Sequence, residues 1–116
     1  MLIIPFNDNG SWREQIQLDN IIYFLNFTWN GLNEFWTMDI LNRNEEPLIL
    51  GIKIVPNYPL LSAYTVEGMP PGNIICQNIV STPDEIKRFD IGQKFELVYY
   101  FEGELEALIE AQLNAV

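Results

Sequence analysis

A period of two constrains this chain more than any other feature. Trp12, Glu14, Ile16 and Leu18 alternate with Arg13, Gln15 and Gln17. Tyr23, Leu25, Phe27 and Trp29 fall on one face of 21–29, with Ile22, Phe24, Asn26 and Thr28 on the other. Trp36, Met38 and Ile40 repeat the pattern opposite Thr37 and Asp39. Apolar residues at every second position mark strands with one face in a core. Glu14 is the exception on its own apolar face. The connections are short and built from turn formers: Asp19-Asn20, Asn30-Gly31-Leu32-Asn33, and Asn42 to Pro47. A parallel crossover needs about a dozen residues or more, so these strands run antiparallel.

Further strands follow from the same reading. Leu2 to Phe6 opens the chain. Leu48, Leu50, Ile52 and Ile54 predict one apolar face over 48–55, with Gly51 and Lys53 opposite. An isolated strand glycine such as Gly51 marks a bulge or a close backbone approach. Residues 73–78 form a short strand, and 94–102 a last one with Phe95, Leu97, Tyr99 and Phe101 on one face. The expected fold is all-β: an antiparallel barrel or sandwich of about six to seven strands, either of which limits exposed edges. Thr82-Pro83-Asp84-Glu85 carries the signals of a short helix, with a cap, a first-turn proline and a capping-box glutamate; it would end near Phe89.

Two segments break the pattern. Residues 56–72 hold Pro56, Pro59, Pro70, Pro71, Gly68 and Gly72, yet keep Tyr58, Leu60, Leu61, Tyr64, Val66 and Met69. An apolar loop of this length reads as functional, or as a seal over one end of the sheet; the two are compatible. From Glu104 the chain consists of strong helix formers. Leu105, Leu108, Ile109 and Leu113 lie at helical spacing, with Glu104, Glu106 and Glu110 largely on the other side. This amphipathic helix either packs on its own domain or docks on a neighbour. The division expected is a β-rich domain over 1–103 and an acidic helix over 104–116. The candidate interface residues are Tyr58, Leu60, Leu61, Tyr64 and Met69 in the loop, with Leu105, Leu108, Ile109 and Leu113 in the helix.

Composition narrows the function. The 116 residues suit one domain, and 48% hydrophobic content is too apolar for a disordered chain. Six Lys and Arg stand against 16 Asp and Glu, a net charge of −10. Nucleic-acid binders present clustered positive charge, and only Lys87 and Arg88 are adjacent here, so direct binding to nucleic acid or anionic membrane is not expected. The acidity instead suits solubility or a basic partner. No apolar run approaches the roughly 20 residues of a membrane helix, and Met1 to Phe6 is too short for a signal segment, so synthesis in the cytoplasm is expected.

The chain has no histidine, which removes histidine-based triads and metal sites. No metal or other cofactor is expected. Cys76, the single cysteine, lies beside Ile74 and Ile75 and reads as a small buried hydrophobe. Glu45, Glu46, Asp84, Glu85, Glu102 and Glu104 read as surface charges, and Asp39 as the partner of Arg43 or Lys53 on a strand. Trp12, Tyr23, Trp29, Phe35 and Trp36 read as core. The alternatives are a carbohydrate-binding sandwich using Trp12, Trp29 or Trp36, and an acidic adaptor or inhibitor that grips a basic protein. The chain is equipped to pack and bind rather than to catalyse.

A set of ordered motifs carries a family resemblance. Leu2-Ile3-Ile4-Pro5 is followed by Phe27-Thr28-Trp29-Asn30, then Phe35-Trp36-Thr37-Met38-Asp39-Ile40, then Pro47 to Pro56 and Pro59-Leu60-Leu61. Over residues 2–102 this resembles the baseplate plug family of contractile-tailed bacteriophages. The motifs that carry the resemblance do not include the segment 81–92 or the residues from 104 onward. The resemblance implies a structural protein of the virion tail baseplate, near the hub, that helps organise or close the distal tail tube. Its partners would be other baseplate and hub proteins, with threefold copies to match a hub. It implies no catalytic residues.

Overall fold

The computed structural model describes residues 1–80 and 85–114. Among them the alternating segments form strands: β1 (Leu2–Ile3), β2 (Ser11–Leu18), β3 (Ile21–Asn30), β4 (Phe35–Leu41), β5 (Pro47–Lys53), β6 (Asn73–Asn78) and β7 (Phe95–Tyr100). A single helix follows, α1 (Glu104–Asn114). The strands make two antiparallel sheets, ordered β2-β3-β4-β5 and β1-β7-β6. No closed barrel forms; the two sheets pack as a sandwich. Leu18, Tyr23, Leu25, Phe27, Trp36, Met38 and Ile40 meet Ile74, Cys76, Phe95, Leu97 and Tyr99 in one core.

Local chemistry sets the turns. Leu18 pairs with Ile21, leaving Asp19 and Asn20 as a two-residue loop with φ of 51° and 66°. Both angles are positive, as a primed hairpin turn requires, and Asp and Asn tolerate them. Asn30 Oδ1 accepts from the backbone N–H groups of Leu32 and Asn33 and tightens the next turn. Asn42 Oδ1 does the same for Asn44 and Glu46.

The face assignments hold along β2, β3 and β4. They fail at one point in β5. Met38 pairs with Ile52 but Ile40 with Ile49, so Leu50 and Gly51 together oppose Asp39. This is a β-bulge, and Gly51 supplies it with a φ of +71°. The extra residue shifts the alternation by one. Ile49 turns inward in place of Leu50, which is 62% exposed, and Ile52 and Ile54 return to the core. Asp39 serves the bulge: its Oδ1 accepts from Gly51 N at 2.7 Å. It is ion-paired with neither Arg43 nor Lys53 among the described residues; Lys53 sits over the Phe35 ring instead.

Two other expectations are adjusted. β1 stops at Ile3, and Phe6 turns in to meet Trp12, Phe27 and Trp36 edge-on, with centroids 4.9–5.3 Å apart. The expected helix from Thr82 begins outside the described residues, which exclude Thr82, Pro83 and Asp84. From Glu85 to Asp90 the backbone is irregular and turn-like.

Candidate functional site

The long segment after β5 is held by the open edge of β6. Asn57 N donates to Cys76 O at 2.8 Å, and Leu60 N to Ile74 O at 2.9 Å. Leu61 N donates to Asn73 Oδ1, and Tyr23 Oη to Gly68 O, both at 2.9 Å. Backbone groups that β6 would otherwise leave unpaired are thereby satisfied. Leu60 and Leu61 are buried in the core, and Tyr64, Val66 and Met69 pack partly against it. The segment is thus a seal over that sheet edge.

Gly72, where the segment joins β6, fits between β7 groups with no room for a side chain. A Cβ there would lie 1.9 Å from Tyr100 O and 2.7 Å from the Tyr99 ring. Gly72 N donates to Tyr99 Oη at 2.8 Å. Tyr99 Oη in turn donates to Asp19 Oδ2 at 2.6 Å, and the same oxygen accepts from Glu102 N at 2.9 Å. One phenol therefore links the β2–β3 turn, the loop and the approach to α1. Burial, and then its hydrogen bond to Asp19, push the Tyr99 hydroxyl well above the ordinary tyrosine range.

α1 is anchored at its first turn. The Met1 ammonium donates to Glu104 Oε2 at 2.9 Å, and Phe101 N to Glu104 Oε1 at 2.9 Å. These bonds, the ammonium first, hold the Glu104 carboxyl below its ordinary range. Beyond this turn the helix leaves the sandwich. Leu105 is half-buried, but Leu108, Ile109 and Leu113 are 48%, 52% and 72% exposed.

The loop and the helix meet. An open groove of about 480 Å³ runs between them, lined by Leu61, Tyr64, Met69, Pro71, Phe101 and Leu105 among others. Of the candidate interface residues, Leu61, Tyr64, Met69 and Leu105 share this groove. Leu108, Ile109 and Leu113 continue outward along α1. Leu60 is spent on the core, and Tyr58, 51% exposed, is not among the residues lining the groove. Sequence reasoning missed Phe101, which spacing places on the core face but which stands exposed between groove and solvent. A strand that ends at Tyr100 no longer dictates where residue 101 points.

No three His, Cys, Asp or Glu side chains converge as metal ligands among the described residues. Cys76 is fully buried, and burial pushes its thiol up to about 12. Trp36 is buried and donates from Nε1 to Arg88 O at 3.1 Å; Trp12 stacks on Phe27 with centroids 4.7 Å apart. Trp12 and Trp29 are partly buried against the core, and Trp29 also lines a pocket of about 500 Å³ with Glu34, Lys87, Arg88 and Phe89. No helix of the described structure is long and apolar enough to cross a membrane.

Glu14 is out of keeping with its surroundings. It lies on the inner face of β2 between Trp12 and Ile16, and its Oε2 is buried with no hydrogen-bond partner among the described residues. Burial raises its carboxyl from 4.5 to about 7. A raised carboxyl costs nothing in acid, and its cost grows as pH rises from the ordinary carboxylate range through about 7. The full separation is worth roughly 3 kcal/mol, but the side chain reaches solvent, and screening leaves about 1–2 kcal/mol. Glu14→Gln is therefore expected to stabilise the protein by about 1–2 kcal/mol near pH 8 and scarcely at all near pH 4. Urea denaturation at both pH values reads this directly; an equal gain at both would show that charge is not the cause.

The sandwich as a whole matches a known protein family. The family model, described as cyanophage baseplate Pam3 plug gp18, matches residues 1–102. The matched residues include every strand and the sealing loop, and they stop short of α1. Comparison with curated proteins returns no match.

Proposed function

The chain belongs to the cyanophage baseplate plug family, and from that premise we propose that it is a structural component of a contractile phage tail, seated near the hub, where it helps organise or close the distal end of the tail tube. The observation that carries this reading is the extent of the family match, which takes in the complete two-sheet sandwich. Three features support it. The sequence has no histidine. The described residues gather no metal-ligating cluster. The surface carries a groove of mixed polar and apolar lining and an exposed apolar helix stripe, features suited to packing against other baseplate proteins.

On this reading Tyr64, Met69, Leu105, Leu108, Ile109 and Leu113 contact a neighbouring subunit, with Tyr58 as a separate exposed contact. Leu60 and Leu61 act by holding the loop in place. The protein is present as symmetric copies, threefold where it meets a hub. Mass spectrometry of purified particles, together with co-expression alongside the neighbouring tail proteins, tests the proposal. The chain is expected in the baseplate fraction and in a stable complex with at least one tail protein. Its absence from purified particles, with no co-assembly, would overturn the reading. Native mass spectrometry of the complex gives the copy number, and a single copy would remove the threefold arrangement.

A further inference from the structure

We propose that the groove between the sealing loop and α1 receives a segment of a partner protein that carries apolar side chains flanked by lysine or arginine. This deepens the contact surface proposed above and rests on that reading. The groove lining mixes apolar side chains, Leu61, Tyr64, Val66, Met69 and Leu105, with polar ones, Ser62, Thr65, Asn73 and the acidic Glu106. Negative charge surrounds it. Glu67 lies between the lining residues Val66 and Met69, and Glu102 follows Phe101, whereas Glu104 is neutralised by its ion pair with the Met1 ammonium. Glu110 follows Glu106 one turn along α1. Phe101 is shared with a neighbouring hollow that contains Asp19.

No lysine or arginine lines either cavity. Of the six lysines and arginines, Arg43 stands exposed in the β4–β5 turn and lines neither cavity, and the other five lie elsewhere. Arg13 pairs with Glu45, Lys94 lies 3.9 Å from Asp90, and Lys53 covers Phe35. Lys87 and Arg88 line a separate pocket of about 500 Å³. The last turn of α1 has no basic residue to offset the negative end of its dipole. A segment with apolar side chains and cationic flanks suits the apolar part of the lining and the acidic residues beside it, which speed its approach. A second copy of the chain fits less well, since it brings its own net charge of −10.

The test uses the full chain and two synthetic peptides of identical apolar content, one flanked by lysines and the other by glutamates. Amide shifts in nuclear magnetic resonance titrations locate the site and give affinities. The lysine-flanked peptide is expected to shift Tyr64, Met69, Phe101 and Leu105 and to bind at least about tenfold tighter. The advantage should shrink as salt rises from about 0.05 to about 0.3 M. The double variant Glu106→Lys, Glu110→Lys changes exposed positions, so the fold is kept and the preference should reverse. Equal binding of both peptides, binding of neither, or shifts away from the groove would overturn the inference. So would self-association of the chain alone that the double variant abolishes, which assigns the groove to a second copy. Particle mass spectrometry separates the two levels: a chain found in baseplates but indifferent to peptide charge refutes the inference and leaves the baseplate reading standing.

Discussion

Replacing Gly72 by alanine is expected to cost about 3–4 kcal/mol and to lower the melting temperature by roughly 10–20 °C. The added methyl would stand 1.9 Å from Tyr100 O, a backbone atom fixed within β7. A flexible side-chain tip could yield, but a strand carbonyl can move only if its ladder moves. The other near neighbour, the Tyr99 ring, is fully buried and has nowhere to go. Relief therefore requires the loop to withdraw, which breaks the Gly72 N to Tyr99 Oη bond. Against a total stability of about 5–15 kcal/mol the loss is large. Gly31→Ala is the control: its nearest neighbour would be Trp29 Nε1 at 3.9 Å, ordinary contact. Thermal denaturation of both variants checks this. A Gly72→Ala protein that melts with the wild type would show that the loop does not pass against β7 as described.

The second large effect is expected at Tyr99. Tyr99→Phe keeps the ring and removes one oxygen, yet should cost about 2–3 kcal/mol. That oxygen donates to Asp19 and accepts from Gly72, residues joined to it only by folding. Phenylalanine leaves the Gly72 N–H without its acceptor and removes one of the two donors to Asp19 Oδ2, leaving Glu102 N. Asp19→Asn should lose under about 1 kcal/mol, because the amide oxygen still accepts and Asn tolerates the left-handed backbone of the turn. Urea denaturation of the two variants distinguishes these roles. If both lost the same amount, the negative charge of Asp19, and not the phenol, would be what ties the elements together.

Much of the sandwich is legible in the sequence because its strands are one-sided. Tyr23, Leu25 and Phe27 point inward for the same reason that Thr28 points out. The bulge in β5 was legible only as a warning. Leu48, Ile49, Leu50 and Ile52 are all apolar, so no polar residue marks which of them faces water once Gly51 adds a residue to the count. Asp39 looked like half of an ion pair; its partner is a backbone N–H, which has no letter in the sequence. The choice of sandwich over barrel depends on which distant strands pair. Asp19 and Tyr99 are 80 residues apart, and no local spacing foretells their meeting. The loop and the helix stripe were each recognisable as apolar and unplaced. Their convergence on one groove depends on how β6 and β7 bring residues 61–73 beside 101–106.

β2 also bears on how the protein behaves in a crowd. It is an outer strand, eight residues long and regular. Such an edge invites another chain to add itself by backbone pairing, and the result is uncontrolled growth into aggregates. Glu14 stands in the middle of that edge and faces inward. A second strand laid alongside would enclose the carboxylate still further from water. The residue that weakens the fold thus protects its solubility. The Glu14→Gln chain, though sturdier in dilute solution, should be the first to clump when concentrated.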